Sequence, residues 1–341
     1  MNLYKTILKP ILFKLDPEFS HIITKKIIKL FFRIPFIKKS VKNNLSVKNE
    51  KQLFGLKFKN KIGLAAGFDK DANFINEADT LGFGFIEVGT VTPKDQNGNP
   101  KKRLFRLEED RALVNRFGFN NKGVNSTIKN LSKERDIIVG GNIGKNKWTD
   151  LKNAKEDYKY CFQQLYNYVD YFAVNISSPN TEKLRELQKK EYLYDLLKSL
   201  VEINESKIKR KPILLKLSPD MTQKELDDIL NIVLKLKIDG VIATNTTLFR
   251  GNLKSKNNNE KGGLSGKPLS NKSTELISYI YDKTNGNLPI IGAGGIFTSK
   301  DAKEKLNAGA SLLQIYTGLV YEGPTIVRNI NKKLINEKNN L

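Results

Sequence analysis

Two glycine-rich stretches near the C-terminus contain the residue types that bind phosphate. Residues 292–295 (GAGG) follow one short apolar run and precede a helical stretch, and residues 316–318 (YTG) follow the next apolar run. Backbone N–H groups in such a turn bind phosphate oxygens together with the N-terminus of the helix that follows. A turn that only permits close packing is the alternative interpretation. The stretches are neither a Walker A loop nor a Rossmann fingerprint at the first strand.

Two scarce residue types exclude several other chemistries. Cys161 is the only cysteine, which excludes an intramolecular disulfide framework and cysteine-rich zinc sites. His21 is the only histidine, which excludes histidine-rich metal sites and argues against a Ser-His-Asp triad. We therefore expect no bound metal and no hydrolase triad.

The chain is strongly basic, with 59 Lys+Arg against 36 Asp+Glu and a formal net charge of +23. A nucleic-acid partner is the first interpretation of such a charge. The excess is mostly lysine spread along the chain, without a zinc finger, an Arg-rich block or an RNA-binding signature. The sequence therefore favours a lysine-rich surface without a nucleic-acid role, and a surface that meets anionic lipid is the alternative.

Short apolar runs alternate with stretches of helical periodicity from about residue 60 onward. Helical patterns occupy residues 191–204, 222–236 and 299–308, among others. Eight strand–helix units predict an α/β fold, a closed parallel (β/α)8 TIM barrel, because an open doubly wound sheet seldom has eight units at this length. The eight runs are residues 62–64, 85–88, 137–139, 171–174, 213–215, 240–243, 290–291 and 312–315.

Small or polar residues follow every one of these runs. In an α/β barrel the C-terminal ends of the strands converge on one face, where catalysis takes place. Eight sets that are distant in sequence are therefore predicted to meet around one pocket. The sets are residues 65–70, 89–90, 142–144, 175–180, 216–218, 244–246, 292–295 and 316–318.

The first 50 residues differ from the rest, with 11 Lys+Arg and 3 Asp+Glu. Apolar residues repeat at helical spacing over residues 3–15 and again over 19–32, with a break at Asp16-Pro17 and an end at Pro35. Lysines interrupt both stretches, so neither is predicted to cross a membrane, and no signal-peptide cleavage site follows. Two ordinary helices packed on the main domain and a pair lying on a membrane surface are equally consistent with this pattern.

Six motifs together identify a family that the chain resembles. The chain resembles class 2 dihydroorotate dehydrogenase, the membrane-associated, quinone-reducing flavoenzyme of pyrimidine synthesis. The resemblance covers nearly the whole chain. The motifs are residues 16–21 (DPEFSH), 65–70 (AAGFDK), 115–120 (NRFGFN), 175–181 (NISSPNT), 262–266 (GGLSG) and 294–296 (GGI).

The resemblance implies that FMN binds at the barrel mouth with dihydroorotate beside it. By motif position, the FMN residues are Ala66, Gly67, Phe68, Asp69, Lys70, Thr90, Asn142, Asn175, Lys216, Thr244, Gly266, Gly295, Tyr316 and Thr317. The substrate residues are Lys70, Asn115, Arg116, Phe117, Gly118, Phe119, Asn175, Asn180, Asn245 and Thr246. Lysine suits the substrate carboxylate, and the amides suit its cyclic imide, because they both donate and accept hydrogen bonds.

The reaction implied is oxidation of (S)-dihydroorotate to orotate in de novo UMP synthesis, with a hydride passing from C6 to flavin N5. The family's base, which takes the C5 proton, stands at the position of Ser178. Serine is a poor base, so it needs a closed, dry loop and a route onward for the proton, through Thr181 or water. Outside this motif, Ser178 would be interpreted as a turn residue before Pro179. Class 1 enzymes have cysteine there, whereas Cys161 lies in a helical stretch.

The resemblance also implies that residues 1–45 form a membrane and quinone-access segment, with residues 46–341 as the FMN barrel. His21, Arg106 and Tyr316 match positions along the quinone route, and a solvated helix residue is the alternative for His21. We expect a monomer, bound peripherally to anionic lipid on the cytoplasmic face of a bacterial inner membrane. The rival functions are a class 1 enzyme that uses fumarate or NAD, and a non-catalytic RNA-binding barrel.

Overall fold

The computed structural model describes residues 3–339. Thirteen β-strands form within these residues: β1 Lys51–Leu53, β2 Leu56–Phe58, β3 Ile62–Leu64, β4 Phe85–Val91, β5 Leu104–Leu107, β6 Ala112–Asn115, β7 Ile138–Ile143, β8 Tyr171–Asn175, β9 Ile213–Lys216, β10 Gly240–Ala243, β11 Gly263–Gly266, β12 Ile290–Ala293 and β13 Leu312–Ile315. The α-helices are α1 Lys9–Lys14, α2 Pro17–Phe32, α3 Pro35–Leu45, α4 Ile75–Thr80, α5 Gly123–Leu131, α6 Ala154–Leu165, α7 Lys190–Glu205, α8 Gln223–Lys235, α9 Ser270–Lys283, α10 Ser299–Asn307, α11 Thr317–Glu322 and α12 Ile326–Asn339.

Eight strands close into a parallel barrel in the order β3-β4-β7-β8-β9-β10-β12-β13, with β13 pairing back onto β3. Helices lie between successive barrel strands, as a (β/α)8 fold requires. All eight strands coincide with the apolar runs of the sequence, so the predicted TIM barrel is confirmed. The strands are buried along almost their whole length, since helices cover the outside and side chains fill the inside.

A short hairpin closes the end of the barrel at which the strands begin. Strands β1 and β2 pair antiparallel immediately before β3. Phe58 of β2 is fully buried, and its ring meets that of Phe85 edge-on with the centroids 5.2 Å apart. Tyr171, Leu214 and Ile242 belong to the same buried cluster inside the barrel. This packing leaves the opposite end of the barrel as the open end.

A three-stranded antiparallel sheet lies over that opposite end, and the sequence analysis did not predict it. Its order is β5-β6-β11, and its strands come from the connections that follow β4 and β10. Asn115 at the end of β6 pairs in register with both Leu104 and Gly263. The sheet therefore brings two of the six motifs, residues 115–120 and 262–266, together above the barrel.

Three α-helices precede the barrel. Asp16 caps α2 by accepting a hydrogen bond from the Phe19 N–H at 2.9 Å, and Pro17 occupies the first helical position, at the predicted break. Pro35 follows the end of α2 and begins α3, a helix that the sequence analysis did not predict. Within residues 3–339 no helix is long and apolar enough to cross a membrane. The division of the chain at residue 45 stays a prediction.

Candidate active site

A cavity opens at the C-terminal ends of the barrel strands, beneath the sheet formed by β5, β6 and β11. Most of the predicted FMN and substrate residues line it, and they come from distant parts of the chain. The lining includes Ala66, Gly67, Lys70, Thr90, Asn115, Phe117, Gly118, Phe119, Asn175, Ser178, Asn180, Lys216, Thr244, Asn245, Thr246, Gly266, Gly295, Tyr316 and Thr317. The structure therefore brings the predicted sets together around one cavity, as the barrel topology requires.

The floor of the cavity holds a buried ion pair. Lys216, at the end of β9, places its ammonium 3.1 Å from the Glu87 carboxylate of β4. Gln314 of β13 donates a hydrogen bond to the other oxygen of that carboxylate at 2.7 Å. All three side chains are buried, and the Gln314 carbonyl oxygen has no partner within the described structure. An unpaired buried acceptor is costly, so a ligand donor at this position is expected.

A row of amides, Asn142, Asn175 and Asn245, runs from the floor up one wall. Asn142 donates to Glu87 at 2.7 Å, and Asn175 donates to the Asn142 side-chain oxygen at 3.2 Å. Asn245 donates in turn to the Asn175 oxygen at 3.2 Å. The Thr90 hydroxyl bridges the first two amides, because it donates to Asn142 at 2.5 Å and accepts from Asn175 at 2.9 Å. We call these three asparagines the amide chain.

Ser178 lies on the loop after β8, within the cavity wall and only 7% exposed. Its hydroxyl oxygen accepts a hydrogen bond from the Asn180 N–H at 3.3 Å. Thr181, three residues on, is also buried, and its hydroxyl has no partner within the described structure. Arg185 secures the loop, because it donates to the Ser177 carbonyl at 3.1 Å and pairs with Asp220 at 3.0 Å. A buried, tethered hydroxyl fits the dry loop that a serine base requires.

Lys70 supplies the cavity with a cation on the side opposite the floor. Its ammonium lies 4.0 Å from the centroid of the Phe117 ring. Burial is the main cause that lowers the pKa of Lys70 to about 8, and the nearby charges of Lys25 and Arg103 contribute to this shift. Asn115 and Asn180 stand on the same side, where Asn180 donates to the Asn115 side-chain oxygen at 3.0 Å. This wall can therefore bind a carboxylate and a ring that carries amide groups.

The glycine turn after β12 packs tightly against the start of α9. Gly294 and Gly295 have φ values of +116° and +74°, a region that L side chains rarely adopt. A Cβ at Gly295 would lie 2.4 Å from the Cβ of Ser270, so a side chain there has no room. Behind the turn, buried Lys305 donates to the Ser270 carbonyl at 3.2 Å. The result is a cradle of bare backbone with a positive charge behind it, which suits a phosphate.

The family profile described as dihydroorotate dehydrogenase matches residues 48–337. The chain belongs to the dihydroorotate dehydrogenase family. A relative from Christiangramia forsetii, named dihydroorotate dehydrogenase (quinone), is 56% identical over 336 residues, which cover 98% of this chain and 99% of the relative. A relative of the same name from Coxiella burnetii is 47% identical over 330 residues, covering 95% and 94% of the two chains. The resemblance to the quinone-dependent class is therefore confirmed.

A solved structure of the same family has the same fold. The crystal structure of DHODH from Eimeria tenella in complex with ferulenol superposes with a TM-score of 0.84 at 37% identity, covering 95% of this chain and 92% of that chain. The ligand-free form from the same organism gives a TM-score of 0.81 at 40% identity, over 87% and 88% of the two chains. Both agree with the barrel described above.

Four of the predicted FMN and substrate residues lie outside the cavity lining. Asp69 turns away, where it accepts hydrogen bonds from Asn73 and Phe74 and pairs with Lys25 at 3.1 Å. Asn142 lies below the lining in the amide chain. Arg116 points outward and pairs with Glu260 at 2.6 Å. Phe68 packs behind the wall, with its ring centroid 5.7 Å from that of Tyr316. The motif predicted the backbone positions, whereas local partners decide where each side chain points.

The three predicted quinone-route residues occupy different places. Tyr316 lines the cavity. The His21 ring of α2 meets the Phe68 ring edge-on at 4.7 Å, so His21, Phe68 and Tyr316 form an aromatic row from α2 to the cavity wall. Burial and the charges of Lys70 and Lys25 lower the pKa of His21 well below its usual range, which keeps the ring neutral. Arg106 instead holds the end of α1, donating to the Leu12 and Phe13 carbonyls at 3.1 Å.

Sequence reasoning missed Glu87, Gln314 and Arg103. Glu87 and Gln314 are polar residues in otherwise apolar strands, and this interruption of the pattern was a usable signal. Arg103 pairs with Glu18 at 2.8 Å and lies 5.5 Å from the Phe117 ring centroid, so it joins α2 to the cavity wall. No local pattern marks Arg103, because its partner is 85 residues away.

Proposed function

We propose that this protein oxidises (S)-dihydroorotate to orotate with bound FMN and passes the electrons to a membrane quinone. The names of its relatives support the dehydrogenase activity and the quinone acceptor. The observation that carries the proposal is the meeting of Ser178, Lys70 and the amide chain at one cavity that also has a bare-backbone cradle.

The residues present fit FMN. The turn at Gly294 and Gly295 lines the cavity with bare backbone that would receive the phosphate, and the unpartnered Gln314 oxygen offers an acceptor to a ring N–H. Lys216 offers a charged donor at the floor, and Thr317 offers a hydroxyl that lies 2.8 Å from that of Ser265. When bound, FMN supplies a hydride acceptor at N5 and the means to return two electrons to a quinone.

Lys70 and the asparagines would hold the substrate. The Lys70 ammonium would pair with the carboxylate, while Asn115, Asn180 and Asn245 would offer donors and acceptors to the imide. The side chains on this wall are already fixed by their own hydrogen bonds, so little ordering is required on binding. The binding energy can then orient C5 toward the loop that carries the base.

Ser178 would take the proton from C5 of dihydroorotate as the C6 hydride leaves. The protein encloses its hydroxyl, which excludes bulk water, and the proton would pass onward through the unpartnered hydroxyl of Thr181 or through an ordered water. Lys216 would favour negative charge at the cavity floor, because its ammonium faces the cavity from beside Glu87. The proton would therefore leave through the loop that carries Ser178, and Lys216 would stabilise the negative charge at the cavity floor.

Residues 1–45 would bring the quinone and the membrane to this cavity. Twelve large apolar side chains between residues 3 and 36 are exposed, among them Phe36 at 80%, and lysines flank them. An exposed apolar face with basic neighbours suits the surface of an anionic membrane. The aromatic row from His21 to Tyr316 offers an apolar path from this face to the cavity. We infer peripheral attachment at the cytoplasmic face of the membrane.

A spectrum of the purified protein tests the proposal. We expect a yellow protein whose flavin absorbance bleaches when dihydroorotate is added without oxygen and returns when a quinone follows. A colourless protein that binds RNA with a steep salt dependence would favour the RNA-binding alternative and overturn the proposal.

A further inference from the structure

The buried carboxylate of Glu87 contacts residues from four other barrel strands at the cavity floor. Its side chain is fully buried and accepts four hydrogen bonds. Asn142 and Lys216 donate to one oxygen, while Gln314 and Tyr171 donate to the other. An ionised carboxylate accepts hydrogen bonds and cannot donate them. Every neighbour must therefore face Glu87 with a donor.

For Asn142 this requirement fixes the direction of the side-chain amide. Its NH2 group faces Glu87 at 2.7 Å, so its oxygen faces the opposite way. That oxygen accepts from Thr90 at 2.5 Å and from the Asn175 NH2 at 3.2 Å. The Asn175 oxygen points toward Asn245, which donates to it at 3.2 Å, and it also accepts from the Ser177 backbone N–H at 3.4 Å. The amides therefore share one orientation, in which the side-chain oxygen of Asn142 accepts from Asn175 and that of Asn175 accepts from Asn245.

Asn245, at the far end of the amide chain, has the same orientation as Asn142 and Asn175. The Thr246 N–H donates to the Asn245 side-chain oxygen at 2.8 Å, which leaves the Asn245 NH2 to donate to Asn175. A reversed Asn142 would place its NH2 against the NH2 of Asn175, two donors facing each other in a buried site. Such a contact leaves polar groups unsatisfied and costs free energy. The backbone N–H groups of Ser177 and Thr246 hold the Asn175 and Asn245 oxygens, and Glu87 holds the Asn142 amide at the near end.

We propose that Glu87 is a positioning residue that holds Asn142 as the acceptor for Asn175 and thereby strengthens the binding of orotate. This inference rests on the proposed function, because Asn175 and Asn245 are the members expected to contact the flavin and the substrate. Glu87 itself touches neither ligand. Its effect on the substrate wall passes through Asn142, whereas Lys216 and Gln314, which also contact Glu87, line the floor that would hold FMN.

Two substitutions of Glu87 test whether its role is to accept the Asn142 hydrogen bond or only to fill the space. In Glu87→Gln the side-chain oxygen can still accept from Asn142. Its new NH2 can donate to the Gln314 oxygen once that amide reverses. This reversal withdraws the acceptor offered to FMN, so FMN is kept saturating in the assay. In Glu87→Met the shape is similar but no acceptor remains. Tyr171→Phe is the matched control, because it removes the longest of the four bonds, at 3.4 Å, and keeps the carboxylate.

The measurement is the dissociation constant for orotate, with FMN saturating and the thermal midpoint recorded for each variant. We expect Glu87→Gln and Tyr171→Phe to bind orotate within about threefold of the wild type, and Glu87→Met to bind at least about tenfold more weakly, the usual effect of one lost hydrogen bond. Wild-type affinity in Glu87→Met would overturn the inference. Equal weakening in Glu87→Gln and Glu87→Met would also overturn it, because charge would then matter rather than orientation.

A second pair of variants removes the unpaired charge, in case Glu87→Met does not fold. Removing one partner of a buried ion pair is destabilising, whereas removing both is often tolerated. Glu87→Gln and Glu87→Met are therefore compared again in a Lys216→Met background, with the same tenfold difference in orotate affinity expected and no difference as the refuting result. A wild-type protein that binds no orotate refutes the proposed function itself, whereas tight binding without these differences refutes only the role of Glu87.

Discussion

Raising the pH from 7 to 9 is expected to weaken orotate binding about tenfold, because Lys70 loses its proton over this range. Burial, together with the charge of Lys25, lowers the pKa of Lys70 to about 8. With that pKa, about nine-tenths of the side chains are charged at pH 7 and about one-tenth at pH 9. If only the charged amine pairs with the ligand carboxylate, the apparent dissociation constant rises in inverse proportion to the charged fraction.

The assay is a titration of the FMN-loaded protein with orotate at half-unit intervals of pH, with two variants as controls. Lys70→Gln should bind orotate weakly at every pH, without the step near pH 8. Lys25→Met removes the neighbouring charge, so the step should move to higher pH. Constant wild-type affinity between pH 7 and 9, or a step that Lys25→Met does not move, would refute the reasoning.

Three further predictions test other parts of the site. Ser178→Ala should slow flavin reduction by dihydroorotate about 10²–10⁴-fold in single-turnover experiments while orotate still binds, and a near-normal rate would exclude Ser178 as the base. Deleting residues 1–45 should abolish turnover with a soluble quinone and co-sedimentation with anionic liposomes, and retention of both would contradict the membrane role. Gly295→Ala should weaken FMN binding at least about tenfold through its contact with Ser270. Gly55→Ala is the matched control, since Gly55 has a similar φ of +71° but no atom within 4 Å of an added Cβ, and equal FMN affinities in the two variants would contradict the packing argument.

The barrel strands could be predicted from sequence because each is a buried apolar run flanked by helical periodicity. The sheet of β5, β6 and β11 could not, because polar residues or glycines interrupt its strands and β11 pairs with β6, which is distant in sequence. Helix α3 was missed for a related reason: Pro35 is typical of a helix end and also of a first helical position, and only the fold decides between them.

The candidate site was also only partly predictable from the sequence. Sequence motifs predicted the backbone positions that converge on the cavity, and most of their side chains do line it. Asp69 and Arg116 turn away because Lys25 and Glu260, both remote in sequence, hold them elsewhere. Glu87 was missed because a lone acid in an apolar strand carries no motif, although burial in a barrel requires that it have partners.

The central claim is that electrons pass from dihydroorotate through bound FMN to a quinone, and an anaerobic titration tests it most directly. Dihydroorotate is added to the purified holoprotein until the flavin absorbance stops falling, orotate is quantified, and a quinone, fumarate or NAD⁺ is then supplied to separate samples. The account predicts one orotate for each flavin bleached, and rapid return of the absorbance with the quinone alone. Absence of bleaching, or return of the absorbance with fumarate or NAD⁺ and not with the quinone, would contradict it.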